Sequence, residues 1–274
     1  MSTDSSMLKT PAFDTFGNDE LAAMEGITGP PADQLLRLSG ILNAAAAAQP
    51  GAELAILENA AGAGILSAKL KAQLLEGVKA KVKVVAGDIE RTMVDLAAKR
   101  FEAAGLDDVR AQVIDGMAIP FSDESFDYSF IHFGIQLYPD PARGLSESLR
   151  ILRRGGTLAL TTWHTPGFLP LLQLADPSFA VPPPMRHPLA LRPSAAAVLV
   201  DAGCAPDSVR LEDVCVRVPF DGVEAFFELM RKGMRGLVAD EERNARIRRA
   251  IEEMHGDTPF VLEWLGLAMV GRKA

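Results

Sequence analysis

Between residues 54 and 163 the chain alternates, five times over, between short aliphatic or β-branched runs and stretches with helical spacing. The strand-like runs fall at 54–57, 82–85, 109–114, 126–133 and 157–163. Gly77, Gly105 and Gly155-Gly156 read as helix stops, and Pro141 sits where a helix tolerates proline, at its first position. Alternation of this kind predicts a parallel sheet covered by helices on both faces. Ligands of such sheets bind at the carboxyl ends of the strands, near the point where strand order reverses. The polar residues that close the runs, Glu58, Asp88, Asp115, His132 and His164, are therefore the first candidates for chemistry.

The segment ILENAAGAG (56–64) is the most informative of these strand ends. An apolar run ends in an acid, small residues follow, and a helical pattern begins at Ile65. Glycines at 62 and 64 permit positive φ and let backbone come close to a ligand. The helix start behind them offers unpaired N–H groups and a partial positive charge. An acid beside such a turn suits a polar small molecule with a cationic part. Gly62-Ala63-Gly64 through Ser67 also fits the opening G-x-G-x-x-S of a dinucleotide turn. An NAD(P)-dependent oxidoreductase is thus the rival reading from these residues alone.

The rest of the chain supplies what surrounds that sheet. A helix is expected over 19–42, opened by Pro30-Pro31 and carrying Leu35, Leu36, Leu38 and Leu42 on one face. The arm before it holds Phe13 and Phe16, and a lid over the ligand is one role for it. After Trp163 comes a proline-rich stretch, then a helix at 193–202, a strand at 209–218, helices at 223–237 and 240–255, and a strand at 260–270. The expected division is an N-terminal arm and helix (1–50) and a main domain (51–274), with a helical insertion at about 222–256 as a substrate cover. Met230 and Met234, one helical turn apart in that insertion, suit an adaptable pocket. The 274 residues carry a formal net charge of -8, which disfavours a nucleic-acid surface. Two cysteines cannot make a disulfide framework, no apolar run approaches a membrane span, and the first residues are polar. A cytoplasmic protein without membrane or nucleic-acid partners is expected, as monomer or homodimer. No His, Cys and Asp cluster has metal-ligand spacing, so no metal is expected.

Four stretches together resemble the class I S-adenosylmethionine-dependent methyltransferases: ILENAAGAG (56–64), VVAGDIERTM (84–93), the run 113–156 from VIDGMAIPF through FGIQLYPD, and TLALTTW (157–163). The NAxGxG turn, FGIQLYPD and the TTW strand end are similar to small-molecule methyltransferases of fungal secondary metabolism. The resemblance implies a Rossmann-like, seven-stranded, mainly parallel sheet, S-adenosyl-L-methionine as cofactor, and a small-molecule acceptor methylated at S, N or O. It implies that Glu58 faces the methionine ammonium and that Asn59, Ala60, Gly62 and Gly64 wrap the methionine by backbone. Asp88 would accept the ribose hydroxyls, with Ile89 and Met93 on the adenine. Asp115 would accept the adenine amino group, flanked by Gly116 and Met117. His132 and Phe133 would line the floor under the sulfonium; a hydroxyl acceptor would need a base, for which His132 and His164 are the first candidates, whereas a thiol would need none. Phe16, Gln136, Trp163, His164 and Met230 are assigned to the acceptor side. Two departures stand out: alanine at 60, where the common turn has glycine, and glutamate rather than aspartate at 58. The alanine motivates a third reading, a non-catalytic binding protein on the same fold.

Overall fold

A computed structural model describes residues 18–274 apart from 50, 178, 182, 234–237, 239 and 257. Seven strands form one sheet: β1 (Leu54–Asn59), β2 (Val82–Asp88), β3 (Val109–Val113), β4 (Phe126–His132), β5 (Leu152–Thr165), β6 (Arg210–Phe220) and β7 (Phe260–Arg272). Their order is β3-β2-β1-β4-β5-β7-β6. The pairs among β1 to β5 are parallel, and β7 runs antiparallel to both its neighbours. Strand order reverses between β1 and β4, so their carboxyl ends frame the expected crevice.

Both faces of the sheet are covered, and side chains alternate between them as strand geometry requires. On one face Tyr128, Phe130, Ala159, Trp264 and Ala268 pack with α1 (Asn18–Ser39), α3 (Ile65–Gln73) and α5 (Arg91–Ala103). On the other, Ile131, Leu158, Leu160, Leu267 and Met269 pack with α6 (Pro141–Ile151) and α8 (Arg192–Ala202). The helices α7 (Phe168–Ala175), α9 (Val223–Gly233) and α10 (Glu241–His255) gather near β5 to β7, with α10 against α7 and α9 against α1. No helix among the described residues is long and apolar enough to cross a membrane.

Three local expectations are corrected. Pro30 and Pro31 lie inside α1 rather than at its start. Buried Ile27 precedes them and buried Ala32, Leu35 and Leu36 follow, so one continuous packed face outweighs the hydrogen bonds that two prolines forgo. The helix breaks instead at Gly40, φ 72°, and resumes as α2 (Ile41–Ala47). Gly77 does not stop α3, which ends at Gln73; it lies within a separate turn, α4 (Glu76–Lys79). Gly155-Gly156 lies inside β5, where the register against β4 slips between Phe126↔Leu152 and Tyr128↔Thr157. The pair therefore makes a bulge, a common use of glycine in a strand. Cys204 is buried, Cys215 is exposed, and both are free.

Candidate active site

Three carboxylates stand at the ends of three adjacent strands. Glu58 is 1 % exposed, and its Oε2 accepts the backbone N–H of Ser67 (2.9 Å) and the Ser67 hydroxyl. Burial pushes its carboxyl up to about 7, against the opposing pull of the two Ser67 donors. Ser67, read from the sequence as the close of a dinucleotide turn, is thus the group that holds Glu58. Asp88 accepts the N–H of Gly62 with Oδ2 (2.8 Å) and the N–H of Glu90 with Oδ1 (3.0 Å). Burial raises its pKa too. Each oxygen keeps a lone pair for a further donor. Asp115 Oδ1 accepts the N–H of Met117 (2.8 Å), which folds the 115–117 turn upon itself.

The turn between β1 and α3 has the conformation the small residues suggest. Gly62 and Gly64 have φ of 53° and 73°, and nothing lies within 4 Å of where a Cβ on Gly62 would be. Ala60 adopts φ 57°, the conformation of the glycine it replaces, which costs an alanine roughly 1–2 kcal/mol. A side chain on Gly134, at the end of β4, would overlap the Ala60 methyl. Alanine at 60 is thus accommodated by glycine at 134. Beside Asp88, Ile89 is 60 % exposed, an outward apolar group, whereas Met93 is packed away at 5 %. Open space over Gly62, a row of acceptors and an exposed aliphatic surface fit a nucleoside with a cationic tail. Asn59 offers only backbone to such a ligand: its side chain is fully buried, with Nδ2 donating to Ser148 Oγ (3.3 Å) and to the Gly116 carbonyl (3.5 Å).

The β4–β5 side is built differently. Phe133, a non-glycine residue at φ 56°, stacks on Trp163 with centroids 3.9 Å apart and planes 4° from parallel. Trp163 meets Trp264 edge-on at 5.8 Å. Gln136 does not point to an acceptor: its Nε2 donates to the Trp163 carbonyl and its Oε1 accepts the Trp163 N–H, both at 2.6 Å. The amide therefore clamps the tryptophan backbone. His132 has both ring nitrogens engaged, Nε2 with the Thr28 carbonyl in α1 and Nδ1 with Thr161 Oγ1, each at 2.9 Å. Thr161 Oγ1 in turn accepts the N–H of Phe133 (3.0 Å), so its hydroxyl proton goes to Nδ1 and His132 donates from Nε2 to Thr28. Burial holds His132 down at about 4, a neutral ring.

His164 Nδ1 bonds Thr165 Oγ1 (2.8 Å), and burial lowers its pKa. Met230 is 2 % exposed in the core with Phe226 and Phe227 and presents no surface to a pocket. Phe16 and Met234 lie outside the described residues. Sequence reasoning missed Thr28, Thr161 and Gly134, whose roles arise from packing between segments far apart in the chain. No group of three or more His, Cys, Asp or Glu among the described residues is arranged to hold a metal ion.

Comparison with known proteins gives the family and the fold. The model of the ubiE/COQ5 methyltransferase family matches residues 39–179, just over half the chain. Methyltransferase tpcH of Aspergillus fumigatus is 32% identical over 120 residues, covering 44% of this chain and 43% of that protein. Acetylaranotin bis-thiomethyltransferase of Aspergillus terreus is 30% identical over 173 residues, covering 62% and 57%. The chain thus spans about half the length of the curated relatives it matches. A putative methyltransferase from Bacillus halodurans shares the fold, with TM-score 0.59 at 19% identity, over 88% of this chain and 99% of that one.

Proposed function

This chain belongs to the ubiE/COQ5 methyltransferase family, and from that premise we propose that it methylates a nucleophile of a small-molecule acceptor. Its cofactor is S-adenosyl-L-methionine, which when bound supplies a methyl group on a positively charged sulfur. The observation that carries the reading is the set Glu58, Asp88 and Asp115 on three neighbouring strand ends around an open glycine turn. In this proposal Asp88 accepts the ribose hydroxyls, Ile89 covers the adenine, and Asp115 with Met117 takes its amino edge. Backbone at Ala60, Gly62 and Gly64 wraps the methionine, and Glu58 faces its ammonium. Phe133 and Trp163 form the wall next to the reacting carbon.

When bound, the cofactor would supply its methyl group to a lone pair of the acceptor and keep the sulfur's electron pair, with Ala60, Gly62, Gly64 and Glu58 holding its methionine part and Phe133 and Trp163 flanking the methyl carbon. The acceptor's proton goes to solvent. The residues' work is orientation and exclusion of water, which can lower such a barrier by several kcal/mol. His132 is a positioning residue in this scheme, because its Nδ1 lone pair is already taken by the Thr161 hydroxyl and burial, which holds the ring down at about 4, leaves it a weak proton acceptor. The acceptor therefore brings its own acidity. A thiol with an ordinary pKa near 8.5 does so at neutral pH, and the name of the Aspergillus terreus relative, a bis-thiomethyltransferase, fits that choice.

We take the N-terminal helix to contribute to the cover over the acceptor and the insertion at about 222–256 to complete it; the arm at 1–17 lies outside the described residues. Titration calorimetry tests the proposal: S-adenosylhomocysteine binds and NAD does not. Binding of NAD instead would move the protein to the oxidoreductases, while nucleoside binding with no transfer to thiol, phenol or amine acceptors would leave a binding protein.

A further inference from the structure

We propose that Tyr138 is a positioning residue for the adenine end of the cofactor site, a phenol wedged beneath the 115–117 turn that sets where Asp115 stands. This rests on the cofactor reading above. Two glycines make its slot. A Cβ on Gly116 would overlap the Tyr138 hydroxyl and meet Asn59 Oδ1 at 2.6 Å. A Cβ on Gly144, in α6, would overlap the ring. The phenol thus runs from the first turn of α6 to the underside of the turn that carries Asp115.

Its hydroxyl ends among unsatisfied polar groups. Tyr138 Oη and Asn59 Oδ1 are both buried and both lack a hydrogen-bond partner among the described residues. They converge on the α-carbon of Gly116, one a donor and the other an acceptor. The other end of the Asn59 amide already reaches the Gly116 carbonyl and Ser148. Asp88 and Asp115 are both near enough to act on the phenol's ionisation and, after burial, raise its pKa further, so it remains a neutral O–H donor. Buried unpaired groups are rare in a native fold, and a small movement that pairs them is favoured. Closing the 115–117 turn on an adenine provides that movement. Tyr138 and Asn59 then hold the turn from below while Asp115 reads the amino group from above.

The test is calorimetry with two nucleosides, S-adenosylhomocysteine and its inosine counterpart, which carries a carbonyl oxygen in place of the amino group. Tyr138→Phe keeps the ring and removes the hydroxyl. The dissociation constant for S-adenosylhomocysteine should rise about 3- to 10-fold, as expected for one hydrogen bond. The preference for it over the inosine form should shrink by a similar factor. An unchanged preference, or an equal loss for both nucleosides, overturns the proposal. Gly116→Ala provides a second arm by driving a methyl into the phenol, and it should reproduce the loss. Adding Tyr138→Val to Gly116→Ala removes the ring that the new methyl strikes, so affinity for S-adenosylhomocysteine should recover in part while the adenine preference stays reduced; a full return of that preference overturns the proposal even if Tyr138→Phe proves unstable. Failure of the unmodified protein to bind either nucleoside would instead strike at the cofactor reading.

Discussion

The two halves of the strand-end crevice solve opposite problems. On the β1–β2–β3 side, Asp88 is tied down by the N–H groups of Gly62 and Glu90 and keeps acceptor capacity for a ligand. On the β4–β5 side the polar side chains are turned upon the protein itself. Gln136 closes on the Trp163 backbone, and His132 bridges α1 and Thr161. The first half is built to bind a defined polar molecule. The second is built to hold an aromatic wall still while offering few commitments to what lies against it. A fold that keeps its cofactor constant and its acceptor variable would divide its polar groups in this way.

The largest effect should come from removing the carboxylates of the first half. Asp88→Ala with Asp115→Ala should weaken S-adenosylhomocysteine binding by on the order of 100-fold or more, since hydrogen bonds to charged groups are worth about 1.5–3 kcal/mol each. Calorimetry reads it directly, and intact affinity would remove the distinction between the halves. Glu58→Gln comes next and separates binding from stability. Its carboxyl is raised to about 7 in the fold against 4.5 unfolded, so ionisation opposes folding fully above pH 7 and not at all below 4.5. The variant should lose cofactor affinity about tenfold yet melt higher than the parent at pH 8, with no such gain at pH 4.5.

A smaller effect probes the seam between the halves. Gly134→Ala should lower stability by about 1–3 kcal/mol, as overpacking does. Adding Ala60→Gly should return most of it, measured by denaturant melts; lack of rescue would mean that the two positions do not meet. His132→Gln tests the second half through pH. The ring is held neutral, with a folded pKa of about 4 against 6.5 unfolded. Its contribution is therefore present above pH 6.5 and lost as pH falls toward 4. The variant should flatten the acid side of the stability profile by on the order of 1 kcal/mol or more, and turnover should acquire no new pH dependence near neutrality. The smallest change is expected for His164→Ala, within about twofold in turnover, because that ring, among the described residues, hydrogen-bonds its neighbour Thr165 alone. A hundredfold loss there would restore a base to the mechanism.

What the sequence made legible follows the same division. The strands of the first half end within three residues of where the strand-like runs stop, and β1 and β2 are the clearest because a buried parallel strand advertises itself as an aliphatic run. Glu58, Asp88 and Asp115 were readable for the same reason: they are the polar residues that terminate those runs. The second half was less readable. Gln136 carries no local sign that its amide will pair with Trp163, 27 residues on. Met230 has the spacing of a pocket residue and the burial of a core one. The double proline at 30–31 reads as a helix start, and only the sheet beneath α1 explains why the helix passes through it.

The place of β7 has a consequence for how the chain comes together. It lies between β5 and β6 yet follows both in sequence, and β6 has no other neighbour in the sheet. As the polypeptide leaves the ribosome, the strand at 210–220 emerges with neither edge paired and must wait some forty residues for its partner. The parallel core from β1 to β5 can assemble in the meantime, whereas the sheet edge beyond β5 stays unfinished until the final antiparallel strand slides into the gap.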